Sequence, residues 1–461
     1  MDIKSTSKKL AKRVRRLFIR STEILYAYNL FEKSQYWSKK QHEEYQLKKL
    51  KQLVENAYQY VPYYKKLFDK HSITPDDIQG LDDIRKIPFL TKETVRKNVD
   101  DLISTKYKKE KLLRFTTGGT TNKPMPVYQC NYNRVLGRAV QIYWHKYVGL
   151  DYLKDRQVSL AGAIIPEDLI RNKQYWLIKG NHLLLSAFHI SNETCSSYVK
   201  ILNEFKPNFI RAHPSAISLL AKYISKNRLE LNSKLDAIVV DAETLHEEQK
   251  KFLISIFKCP IYNDYGHNEH SVWGIPCNKS DYFHILPEFG ICELIKPNGE
   301  VATEEGEKGE IVVTGLACRA MPFIRYKTGD IGILTKKKCD CGRNYMLLKS
   351  IEGRIQDYII GLDNTLIPLG PLLFEPPLPN PLFIKMIQIY QDTPGKILLR
   401  VVKEKSCSKT SQNLKDYLLN LYIPKLGNNC EIGVEFVSDI PLTARGKHKY
   451  IKQKLDIQSF M

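Results

Sequence analysis

Thr116-Thr117-Gly118-Gly119-Thr120-Thr121-Asn122-Lys123-Pro124 sets two adjacent glycines among four hydroxyl side chains and one lysine. Glycines let consecutive backbone N–H groups converge on an anion, threonine hydroxyls add hydrogen bonds, and lysine neutralises charge. The segment reads as a nest for phosphate, which points to nucleotide-dependent chemistry. It is not the P-loop, in which Ser or Thr follows the lysine at the start of a helix; here Pro124 follows Lys123. Gly and Thr are also ordinary loop residues, so a plain turn between strands is the competing reading.

Three downstream segments bear on that choice: Tyr262-Asn263-Asp264-Tyr265-Gly266-His267-Asn268-Glu269, Arg325-Tyr326-Lys327-Thr328-Gly329-Asp330, and Pro441-Leu442-Thr443-Ala444-Arg445-Gly446-Lys447. With the glycine-threonine loop, their order and spacing resemble the adenylate-forming superfamily of acyl-CoA synthetases, in the phenylacetate-CoA ligase-like branch that includes the capsule-biosynthesis CapK proteins. The resemblance runs from Val61-Pro62-Tyr63-Tyr64 to the C-terminal lysine motif. It implies an enzyme that joins a carboxylic acid to AMP with release of pyrophosphate, then passes the acyl group to a thiol, amine or hydroxyl acceptor. ATP, Mg²⁺ and coenzyme A are the cofactors it implies.

The resemblance also assigns roles. Thr116, Thr117, Gly118, Gly119, Thr120 and Lys123 would hold the β- and γ-phosphates, with Thr117 counted among the catalytic groups. Tyr265 would stack on adenine, Gly266 would let backbone approach the nucleotide, and Glu269 would ligate Mg²⁺. Asn268 stands where the family usually has Thr or Ser; its amide can still donate to phosphate. Asp330 would accept both ribose hydroxyls, Arg354 would reach ribose or phosphate, and Glu243 lies in the loop after a buried strand that would contact adenine. Lys447 would swing in to stabilise the adenylation transition state. Near the expected hinge stand Gln356 and Asp357, and Tyr143, Trp144, Ala163, His213 and His267 are expected around the acid. The rival class is a non-catalytic nucleotide-binding or envelope-assembly relative, against which the retained Glu269, Asp330 and Lys447 argue.

At 461 residues the chain exceeds one hydrophobic core. Its 43% hydrophobic and 26% charged residues suit a globular protein, and no apolar run approaches the roughly 18 residues of a membrane span. Without a signal-type apolar segment, and with ten cysteines not arranged as a disulfide scaffold, a reducing cytoplasm is expected. The net charge of +21 includes a basic amphipathic stretch from Lys4 to Arg20, which suits either an anionic inner-membrane surface or a solvated helix face. No nucleic-acid-binding module is recognisable.

Apolar runs at 157–161, 209–212 and 236–240 alternate with helical patterns at 215–225 and 247–257, which predicts an α/β fold with parallel sheets. From 290 to 334 the β-runs are separated by Gly and Pro turns, as in a barrel-like subdomain. The expected organisation is a large N-terminal core over 1–353, with a helical lead-in to about residue 75, and a small mobile α+β domain over 354–461 carrying Lys447. Residues 361–381, rich in Pro and Leu, are expected to be irregular. Finally, Cys339-Asp340-Cys341-Gly342 is a tight thiol pair that, with Cys277 and His284, forms a Cys₃His set for structural zinc, like the site in several phenylacetate-CoA ligase-like proteins. Unbound thiols in a reducing compartment are the alternative.

Overall fold

The computed structural model describes residues 22–117, 125–161, 165–354, 358–364, 366–368, 383–405, 407–426, 429–442 and 448–460. Gly118, Gly119, Thr120, Lys123, Ala163, Gln356, Asp357, Lys447 and the basic stretch Lys4 to Arg20 lie outside the described residues. For Thr116, Thr117 and Arg354 the backbone alone is described.

The lead-in forms helices α1 (residues 22–34), α2 (Lys39–Tyr60) and α3 (Pro62–Lys70). Ser38 and Gln41 close a capping box at the start of α2, and Pro62 occupies the first turn of α3, where its missing N–H costs nothing. A short α4 (Lys92–Lys97) precedes the hairpin β1 (Leu113–Thr117) and β2 (Met125–Gln129), in which Thr117 pairs with Met125. The glycine-threonine segment is thus the connection of a hairpin.

Next come α5 (Asn131–Tyr147), β3 (Gln157–Ala161), α6 (Glu167–Arg171), β4 (Trp176–Lys179), β5 (His182–Ser186), α7 (Asn192–Phe205), β6 (Phe209–Ala212), α8 (Pro214–Lys226), β7 (Ala237–Asp241), α9 (Glu247–Phe257) and β8 (Ile261–Gly266). Strands β5, β3, β6, β7 and β8 run parallel to one another. Both faces are covered, so Ala237-Ile238-Val239-Val240 is apolar without alternation. Ile238 and Val240 pack with residues of α7, α8 and α9, while Phe209, Ala237 and Val239 pack with α5.

The antiparallel strands β9 (Trp273–Ile275), β10 (Phe283–Ile285), β11 (Gly290–Ile295), β12 (Lys308–Gly315), β13 (Tyr326–Thr335) and β14 (Met346–Arg354) follow. Among the described residues they do not stand apart as a barrel. Pairing of β8 with β9 makes them continuous with the parallel strands, in one sheet ordered β11-β12-β13-β14-β10-β9-β8-β7-β6-β3-β5-β4.

A two-stranded pair, β15 (Tyr358–Ile360) and β16 (Leu366–Pro368), comes next, so the stretch expected to be irregular contains a short strand. The C-terminal domain contains β17 (Ile384–Thr393), β18 (Lys396–Lys403), α10 (Ser411–Leu426), β19 (Glu431–Phe436) and β20 (Ile451–Gln453). Leu414, Leu418 and Tyr422 of α10 pack on Ile387, Ile389, Leu399 and Val401 of the sheet β19-β18-β17-β20. Among the described residues no helix is long and apolar enough to cross a membrane.

Candidate active site

Most of the described site residues that the sequence singles out converge where β8 ends beside β13 and β14. The Tyr265 hydroxyl donates to Asp330 Oδ2 at 2.8 Å; burial, then the Asp330 charge, raises the Tyr265 pKa well above its usual value. Asp330 follows Gly329, whose φ of +78° is the left-handed conformation a side chain resists. Register sets the Arg354 backbone directly across from Asp330. A Cβ on Gly266 would meet nothing nearer than 3.8 Å, so packing within the protein does not require glycine there.

Glu269 is 4% exposed. Tyr326 donates its hydroxyl to Oε1 at 2.9 Å, and His267 Nδ1 lies 3.2 Å from Oε2 without hydrogen-bond alignment. Burial alone would raise this carboxyl, but His267, Lys92 and Tyr326 together bring it down to about 2. Glu269 is therefore an ionised, oriented hard oxygen donor, the kind of ligand Mg²⁺ takes alongside phosphates. The Tyr326 hydroxyl also lies 3.9 Å from the sulfur of Met125, the residue that closes the glycine-threonine connection. At the far end of the same strand, Gln129 donates to the Asn268 carbonyl. The hairpin is thus tied to the Tyr265–Glu269 segment directly by Gln129 and indirectly, through Tyr326, by Met125.

Glu243 accepts from the Ser215 amide at 2.8 Å and the Ser215 hydroxyl at 3.0 Å, at the start of α8. The amide of His448, next in sequence to Lys447, reaches the same hydroxyl at 3.4 Å. A second tie between the domains runs from Tyr223 and Lys226 of α8 to Glu404, at 3.3 and 3.2 Å. Residues of the C-terminal segment thus contact α8 at both of its ends.

Cys277, His284, Cys339 and Cys341 form a separate cluster whose ligand atoms all lie within 4.8 Å of one another. Cys277 and Cys339 sulfurs are 3.5 Å apart, and Cys341 Sγ is 3.2 Å from His284 Nε2. His284 Nδ1 faces the Tyr282 carbonyl at 3.2 Å, which leaves Nε2 for a metal. A tetrahedral ion about 2.3 Å from each sulfur would set the sulfurs about 3.8 Å apart, so this donor set fits zinc.

A sequence model of the CapK C-terminal domain matches residues 378–454. CapK of Staphylococcus aureus is 27% identical over 406 residues, covering 87% of each chain. The phenylacetate-coenzyme A ligase of Thermus thermophilus is 28% identical over 329 residues, 68% of this chain and 71% of that one. The solved structure of 2-hydroxyisobutyryl-CoA ligase in the postadenylation state shares the fold, with a TM-score of 0.70, 16% identity and coverage of 91% of both chains. Over two thirds or more of its length the chain is similar to CapK and to phenylacetate-coenzyme A ligases, and it shares the fold of a CoA ligase.

Within this fold the structure separates residues that the motifs list together. Arg325 is structural: its guanidinium grips Glu293 with two 3.1 Å contacts, donates to the Arg85 and Ile87 carbonyls, and lies over the Phe89 ring. Tyr143 and Trp144, expected near the acid, are fully buried in the core beneath the sheet. His213 does reach the strand ends, with Nδ1 3.6 Å from Asp241. Sequence reasoning gave no role to Tyr326, Gln129 or Lys92. Lys92 donates to the Thr328 carbonyl and adds positive charge near Glu269. Tyr326 was legible, since it sits inside a quoted motif; Lys92 and Gln129 carry no local signal.

Proposed function

We propose that this protein activates a carboxylic acid with ATP as an acyl-adenylate and transfers the acyl group to coenzyme A or to another thiol, amine or hydroxyl acceptor. The convergence of Tyr326, Glu269 and Met125 carries the reading, because it brings the root of the anion nest to a buried, ionised carboxylate. Asp330, held by Tyr265, accepts the ribose hydroxyls, with Arg354 opposite it in register. Thr116, Thr117, Gly118, Gly119, Thr120 and Lys123 surround the leaving phosphates, and Glu243 and Gly266 border the adenine. Glu269 would hold Mg²⁺, which supplies charge neutralisation between the phosphates.

A substrate carboxylate oxygen bonds to the α-phosphorus while the bond to the bridging oxygen breaks and its electron pair leaves on pyrophosphate. Lys447 stabilises the charge that grows in this step, a role supported by the docking of His448 beside Glu243. The acceptor then attacks the acyl carbon and AMP departs. The Cys₃His cluster holds one structural zinc. Likeness to CapK supports a place in capsule polysaccharide assembly, and the basic stretch Lys4 to Arg20 supports salt-sensitive attachment to the cytoplasmic face of an anionic membrane. ATP–pyrophosphate exchange across a panel of carboxylic acids tests the reading. Acid-dependent exchange is expected, and the absence of exchange with every acid would overturn it.

A further inference from the structure

Three charged side chains interrupt otherwise apolar parallel strands: Arg211 in β6, Asp241 at the end of β7 and Asp264 in β8. Side chains alternate along a strand, so Arg211 shares a face with Phe209, Asp241 with Val239, and Asp264 with Tyr262. Phe209, Val239 and Tyr262 pack with α5. All three charges therefore stand on the α5 side of the sheet, at the carboxyl ends of adjacent strands, with Asp241 and Asp264 opposite each other in register. In open α/β sheets that crevice is where ligands bind. Tyr265 points from the same strand to the opposite face, toward Asp330, so the crevice lies just behind the nucleotide cradle.

The charges do not cancel. Arg211 Nε donates to Asp241 at 2.7 Å, and His213 approaches the other Asp241 oxygen. Asp264, 5% exposed, is left as a second carboxyl beside a single guanidinium. Its Oδ2 and the Nε1 of Trp273, which stands close enough to lower the Asp264 carboxyl, make no aligned hydrogen bond among the described residues. Burial pushes the Asp264 carboxyl up, Arg211 draws it back, Asp241 raises it further and the Trp273 N–H lowers it. Arg211 keeps 32% of its side-chain surface accessible, so the crevice opens to solvent. Apolar residues of the same volume would serve the fold as well.

The unpaired groups define their complement. An aliphatic acyl chain would satisfy neither of them. An ammonium would donate to Asp264 but give the Trp273 N–H nothing, and a second anion would meet two carboxyls. A hydroxyl both donates and accepts. We infer that the acid pocket of this protein selects a hydroxylated carboxylic acid, with Asp264 accepting from a substrate hydroxyl and Trp273 donating to one. This rests on the adenylation reading for the position of the acid.

The test uses matched acids with and without hydroxyls: 3-hydroxybutyrate and butyrate, gluconate and hexanoate, 4-hydroxyphenylacetate and phenylacetate. Each is titrated calorimetrically into the full chain with AMP present and assayed in ATP–pyrophosphate exchange. The hydroxylated member of a binding pair should be preferred at least tenfold, because a site built to pair a hydroxyl leaves buried groups unpaired with the analogue lacking it. Asp264→Ala and Trp273→Phe should each cut that preference at least tenfold while affinity for the deoxy member holds or improves, which also shows that the variant is folded. Preference for deoxy members, or no binding by any hydroxylated acid, overturns the inference. Asp264-dependent binding without exchange would remove the adenylation reading and leave this one standing; exchange with deoxy members alone would do the reverse.

Discussion

Tyr326→Phe removes one oxygen from a fully buried ring and leaves its volume in place. The lost hydrogen bond is the 2.9 Å contact to Glu269 Oε1, and a bond to a charged group is worth about 1.5–3 kcal/mol. If Glu269 must be ionised and oriented to hold Mg²⁺ against the phosphates, kcat/KM for exchange should fall between about tenfold and a hundredfold, since small misplacements at a reacting centre cost that much. Thermal stability should fall only a few degrees in a chain of this size. The acid limb gives an independent sign. With its folded-state pKa brought down from 4.5 to about 2, Glu269 contributes stability that is fully present above about pH 4.5 and lost as pH falls toward 2. Phenylalanine should raise that folded-state value and move acid unfolding to higher pH. Unchanged exchange together with an unchanged acid limb would refute the claim that Tyr326 holds Glu269.

Lys447→Ala should lower exchange by two orders of magnitude or more while calorimetric ATP binding persists, because its contact is made mainly in the transition state. Metal analysis of protein purified without chelator should find one zinc per chain, and Cys339→Ser should lose it and lower Tm. Arg325→Met should cost about 3–5 kcal/mol in denaturant unfolding by stranding the buried Glu293, with KM for ATP little changed.

Much of the scaffold is legible locally. Helix α9 begins and ends where periodicity places it, over Glu247–Phe257. Helix α5 is not: Gly137 and several tyrosines weaken its helical signal. The glycine has a tertiary cause, since a Cβ there would sit 3.1 Å from the His270 ring. Likewise β16 is a three-residue strand inside a Pro- and Leu-rich stretch, defined by its pairing with β15 rather than by composition. At the site, the motifs nominate Glu269, Asp330 and the anion nest, but what fastens the nest is a contact between Tyr326 and Met125, about two hundred residues apart. Of the charges Arg211, Asp241 and Asp264, Arg211 alone left a trace, inside the apolar run at 209–212.

The central claim is a bond between an acid oxygen and the α-phosphorus, and oxygen isotope transfer reads that bond directly. The protein, ATP and the acceptor would be incubated with ¹⁸O-carboxylate-labelled acid, chosen as one that supports exchange, and the nucleotide products analysed by mass spectrometry. One ¹⁸O should appear in AMP for each acyl group transferred, with pyrophosphate released in equal amount. Unlabelled AMP, or ADP and phosphate in place of AMP and pyrophosphate, would contradict the account.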